Sequence, residues 1–185
     1  MFFFLRLVCF FVLSTSLAWA DEVESLDEVE IYIEDGVLYS NVQTFQQESY
    51  ILKVIGSGSP MTVVWQFDVD QVRDYWLDKQ VVSVRLGRQV IPDLVTQRWL
   101  MRDLSAGVVR HTTDAREAMQ FLSSISQVAV LDVSVLNLEN EYVLNTRFFL
   151  YEGEVEDDSW LPLFNNSSED IGSVLLNLDL EADHE

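Results

Sequence analysis

From Met61 to Arg102 apolar and polar residues alternate with a period of two. Val63, Trp65, Phe67 and Val69 are interleaved with Val64, Gln66, Asp68 and Asp70. Val82, Val84 and Leu86 are interleaved with Ser83 and Arg85, and Trp99 and Met101 with Arg98, Leu100 and Arg102. Alternate side chains of a strand point to opposite faces, so this stretch predicts a three-stranded antiparallel meander with one apolar face. A reversal near Tyr75–Trp76 sets Phe67 opposite Val84 and Val69 opposite Val82. A second reversal, near Ile91–Pro92, sets Val84 opposite Trp99 and Val82 opposite Met101, and brings Arg85 beside Arg98. Slipping either hairpin by a single position would turn the apolar set to water, which fixes the register.

On either side the pattern continues in shorter pieces. Val29, Ile31 and Ile33 alternate with charged and aromatic residues, and Asp35-Gly36 is favoured hairpin-turn chemistry before Val37–Val42. Between Gln43 and Pro60 the apolar residues recur at helical spacing, closed by Gly56 and Pro60. Val108–His111 reads as a short strand. Asp114 is placed to cap a helix, with Glu117 as its capping-box partner and Ala115, Ala118, Met119, Leu122 and Ile125 as the buried stripe. Gln127–Leu136 and Tyr142–Tyr151 read as strands joined by a turn at Asn137–Glu141. The expected architecture is mainly β: a single-domain antiparallel β-sandwich with one or two short helices, the alternative being an open sheet covered on one face by helices. The sandwich would span residues 21–164. An acidic tail, residues 165–185, holds one further apolar alternation at Val174–Leu180 and a candidate last strand.

Composition narrows the setting. The chain opens MFFFLRLVCFFVLSTSLAWA: one base (Arg6), an apolar run, and an Ala18-x-Ala20 cleavage pattern before an abrupt acidic turn at Asp21. That is the pattern of a cleavable export signal over residues 1–20, and implies a periplasmic protein with no membrane span after cleavage. The apolar run of about 12 residues is shorter than the ~20 of a spanning helix. Cys9 leaves with the signal, so the mature chain is without disulfides and depends on its core for stability. Its net charge, −20 over the whole chain, argues against nucleic acid and anionic lipid as partners. The 34 residues from Glu152 hold eleven acids and no base, so Glu152–Asp158 and Ala182–Glu185 are expected to be partly disordered.

Catalytic chemistry is hard to find. His111 near Asp114 has no nucleophile to serve, and no serine sits in a G-x-S-x-G setting. One internal histidine and no mature cysteine leave zinc without ligands. Asp68, Asp70, Asp74 and Asp78 gather about one reversal, but the glycine and terminal glutamate of a calcium loop are missing. No metal, cofactor or catalytic residue is therefore assigned. Asp68 and Asp70 on one strand face are loosely compatible with a glycosidase pair, which gives the alternative reading of an envelope-polymer hydrolase. The leading expectation rests on charge segregation: eight of the ten mature bases lie between Arg73 and Arg116, among five acids. A face carrying Arg85, Arg98 and Arg102, with exposed Tyr75 and Trp76 at the reversal, would bind a protein or envelope component.

The order of these parts resembles domain-of-unknown-function family 4390, a group of secreted proteobacterial proteins. The resemblance lies in an export signal, the I-x-I-x-D-G hairpin at Ile31–Gly36, and the short helix. Trp76-Leu77-Asp78, Leu94–Trp99, the EA-x-x-x-L helix at Glu117–Leu122, the Tyr142–Leu150 strand and Leu161-Pro162 continue it. It covers roughly Val29 to Phe164, and the tail departs from it. The resemblance implies a periplasmic, β-rich domain and brings no catalytic residue with it.

Overall fold

The computed structural model describes residues 27–75, 77–155 and 168–176. Asp35 and Gly36 take φ of 50° and 77°, the left-handed pair that a two-residue hairpin needs. They join β1 (Glu28–Glu34) to β2 (Val37–Gln43). After α1 (Glu48–Gly56) come β3 (Met61–Gln71), β4 (Lys79–Asp93), β5 (Arg98–Asp103) and β6 (Val108–Thr112). Then follow α2 (Ala115–Ser123), β7 (Ser124–Asp132), β8 (Tyr142–Glu152) and β9 (Ser168–Leu176). The strands form two antiparallel sheets, one ordered β1-β2-β7 and the other β6-β5-β4-β3-β8-β9. The fold is an antiparallel β-sandwich with two helices.

The predicted meander lies at the centre of the larger sheet. Phe67 pairs with Val84 and Val69 with Val82, the register that the alternation demanded. On its inner face Val63, Trp65, Phe67 and Val69 are fully buried, and Trp65 meets the Phe148 ring of β8 at 4.4 Å between centroids. Leu38 and Val42 from β2, Val128 and Leu131 from β7, and Leu144 from β8 close the same core. The helices add Ile51, Val54 and Ile55 from α1 and Ala118, Met119 and Leu122 from α2.

The second hairpin differs from expectation. Pro92 does not end β4; the strand runs on to Asp93, and Trp99 pairs with Pro92 and Met101 with Val90 rather than with Val84 and Val82. Pairing of β3 with β4 starts at Met61–Val90, so at residue 92 a missing N–H costs no ladder bond. The true reversal is an Asp93 turn. Its carboxylate accepts the amides of Val95 and Thr96 at 2.9 and 3.2 Å, and Gln97 takes φ of 53°.

The acidic stretch after β8 also begins in order. Glu152 belongs to the strand, Gly153 takes φ of 152°, and Val155 is buried on the outer face against Val64 and Phe149. A Cβ at residue 153 would stand 2.6 Å from the Tyr151 ring, so that bend admits glycine alone. The expected disorder at Glu152–Asp158 is therefore corrected for its first four residues. Glu156–Asp158, the Trp160–Phe164 segment, the export signal and the last residues of the tail lie outside the described residues. The tail's last strand, β9, starts at Ser168 and pairs along β8.

Candidate binding surface

The outer face of β3 presents Thr62, Val64, Gln66, Asp68 and Asp70, and neighbouring strands satisfy the polar members. Asp68 is only 1% exposed. Its carboxylate is ion-paired with Arg147 of β8 and accepts from Gln66 Nε2 at 2.7 Å and Gln80 Nε2 at 2.9 Å. Burial pushes its pKa up. Hydrogen bonds from Ser83, Arg147 and Gln66, with the Arg147 charge, outweigh that and hold it below the usual carboxylate value. A carboxylate held ionised is the opposite of what a general acid requires. Asp70 accepts from Asn145 at 2.8 Å, which in turn accepts from Ser173, and Asp78 accepts the Arg73 amide at 3.2 Å. Asp68, Asp70 and Asp78 thus serve separate structural tasks. Among the described residues no group of three or more His, Cys, Asp or Glu side chains is placed to share a metal ion.

The β3–β4 loop is anchored at its base and bare at its tip. Val72 donates its amide to Glu141 O at 2.9 Å, which ties the loop to the turn before β8. Beyond that anchor Tyr75 and Leu77 are each 92% exposed. Trp76, the other aromatic expected here, lies outside the described residues. Leu138 and Leu175, from the turn before β8 and the end of β9, are also exposed at this end of the sandwich. Leu77, Leu138 and Leu175 escaped the sequence reading, because apolar residues next to turns look like ordinary strand ends.

The three arginines share the outer face but not one neighbourhood. Arg85 pairs with Gln66 and is exposed, whereas Arg98 pairs with Asp93 and Arg102 with Gln89. The expected juxtaposition of Arg85 with Arg98 is therefore corrected; Arg102, which the register expected from the sequence also sets near Asp70, pairs instead with Gln89. Four residues of β4 separate Arg102's partner from each of the other two positions, about 13 Å per interval by strand rise. Of the three, Arg85 lies nearest the Tyr75 loop along β4, six residues or about 20 Å beyond Lys79. This follows from the later reversal, which slides β5 toward the far end of β4.

Other candidates resolve into structure. Asp114 accepts the Arg116 amide at 2.8 Å as the cap of α2, so it is not a partner for His111, which stands exposed on β6. Glu117 accepts from the Thr112 hydroxyl, which itself takes the Asp114 amide at 3.0 Å. The capping box is thus relayed through a threonine. Arg88, unremarked in the sequence, is the cation that reaches inward. Its Nη1 donates to Phe121 O and Ser124 O at 3.0 and 2.6 Å, and its guanidinium lies 4.8 Å from the Phe121 ring centroid. A groove of about 320 Å³ crosses the smaller sheet, lined by Glu28, Glu30, Asn41 and Ser126 among others.

A family model described as "Domain of unknown function (DUF4390)" matches residues 22–156. No curated protein and no solved structure matches the chain.

Proposed function

The chain belongs to the DUF4390 family of domains of unknown function, and from that premise we propose a non-enzymatic periplasmic module that binds a protein or envelope component. The binding surface is the loop end of the sandwich, with exposed Tyr75 and Leu77 at the tip and Arg85 further along β4; Trp76, which stands between Tyr75 and Leu77 in the sequence, is part of the same proposal. The observation that carries this reading is the paired 92% exposure of Tyr75 and Leu77 on a loop whose base is hydrogen-bonded in place. Large apolar side chains held in water contribute nothing to the core and favour a contact surface. Export to the periplasm rests on the leader pattern of residues 1–20. The alternative of an envelope-polymer hydrolase finds no support in Asp68, which is buried and ion-paired.

The test replaces Tyr75 and Leu77 together by serine. The expected outcome is a melting temperature within about 2 °C of the parent, as for surface substitutions generally. Loss of a protein or envelope component crosslinked in periplasmic extract should accompany it. A large fall in melting temperature would show that these side chains belong to the core, and retained crosslinking would remove the loop from the surface.

A further inference from the structure

We propose that the first half of β4, Lys79–Leu86, is an open strand position that accepts an extended segment of a partner protein in which acidic and apolar residues alternate. This deepens the reading of the loop end as the binding surface and rests on it, since β4 leaves that loop at Lys79.

The position follows from unequal strand lengths. β4 has 15 residues and β5 has 6. The β4–β5 register covers only Arg88–Asp93. Among the described residues, Lys79–Leu86 therefore pairs with β3 alone, over a length of about 26 Å. The direction of the free backbone groups can be read from Gly87. Its amide donates to Ser105 Oγ at 3.1 Å and its carbonyl accepts the Leu104 amide at 2.9 Å, so both face the β5 side. Polar backbone groups repeat every second residue of a strand. Arg85 and Ser83 thus present their N–H and C=O to the vacant side, which is the template on which an added strand grows.

The side chains define what fits. Val82, Val84 and Leu86 face the core but are only half-buried, whereas Val69, Phe67 and Trp65, their partners on β3, are fully buried. Their uncovered flank would be closed by apolar residues of an incoming strand. On the outer face Ser83 and Arg85 are exposed, and Lys79 is exposed at the loop end. Arg85, the base on that outer face, favours an acidic residue opposite it in an incoming strand through a cross-strand charge pair. Asp78, the acid adjoining Lys79, is engaged by the Arg73 amide.

The experiment combines the purified protein with a short synthetic peptide alternating glutamate and valine, a lysine–valine peptide serving as control, and reads amide hydrogen exchange. The Ser83 and Arg85 amides should exchange rapidly in the protein alone and become protected by the glutamate–valine peptide but not by the control. Arg85→Pro, which removes an amide on the vacant side, should weaken peptide binding by about tenfold relative to Arg85→Ala, the worth of a lost backbone hydrogen bond. The exchange measurement on the unaltered protein stands whether or not the proline variant folds. Protection of both amides in the protein alone would mean that the chain fills its own vacancy, and would overturn the proposal. Protection that grows with protein concentration would assign the position to a second copy and overturn it too, as would no protection by saturating peptide. Partner capture by the Tyr75→Ser, Leu77→Ser variant is read separately, so failure of the strand position and failure of the loop surface give different results.

Discussion

Asp68 keeps its negative charge where almost none of its surface reaches water, because Arg147, Gln66, Gln80 and Ser83 converge on it. A carboxylate whose pKa is lower in the folded than in the unfolded chain stabilises the fold fully above the unfolded value. That contribution is lost as pH falls through the folded value. Asp68→Asn should therefore cost about 1–2 kcal/mol at neutral pH, less than the 3–5 kcal/mol of a fully buried pair, because Arg147 is 38% exposed and can turn to water. Urea denaturation at stepped pH should show parent and variant converging below about pH 4. A difference that persists undiminished at pH 3 would mean that the carboxylate charge is not what matters. The network was invisible in the sequence: alternation places Asp68 outward, and its arginine arrives from 79 residues away.

At the scale of elements, β4 is the strand that binds the wing of β5 and β6, the larger sheet and α2 together. Arg88 is the side chain through which it reaches α2, donating to two carbonyls at a helix end where carbonyls lack intrahelical partners and the helix dipole favours a cation. Arg88→Met, which keeps the apolar stem, should cost about 1.5–3 kcal/mol, the range for a hydrogen bond to a charged group. Arg88→Lys should recover part of this, since one ammonium can serve a carbonyl without matching the planar fork. Equal unfolding midpoints for parent and Arg88→Met would refute the capping role. Period-two alternation made β1, β2, β3 and β8 legible, and the Asp114 cap made α2 so. The β4–β5 reversal was misplaced because proline reads as a stop, while the decisive fact, that β3 begins too late to need an amide from residue 92, belongs to the partner strand. Of the proposed surface, the exposure of Tyr75 and Arg85 was legible, but the grouping of Arg98 and Arg102 with them was not, for the same reason: sliding β5 along β4 carried both away.

Across the whole molecule the larger sheet is assembled from distant pieces, and its last strand comes from the acidic tail. β9 covers β8 from Phe149 to Tyr142 and buries Leu176. Ending the chain at residue 167 should therefore cost roughly 3 kcal/mol or more, from the apolar area of Ile171, Val174 and Leu176. Neutralising Asp179, Glu181, Asp183 and Glu185 should change stability little. Unaltered stability after truncation, by calorimetry, would show that β9 adds nothing to the core. The order of the sheet also has a kinetic meaning. β3, its most buried strand, finds one neighbour at once in β4, but the other in β8, with Met61 pairing to Glu152. A chain emerging N-terminus first carries that apolar strand with one side open until residue 152 is free. Sheets closed by such remote pairings fold in milliseconds to seconds rather than microseconds, and their unpaired edges are exposed to aggregation meanwhile. The yield of folded protein is then set by how fast β8 arrives, not by how stable the finished sandwich is.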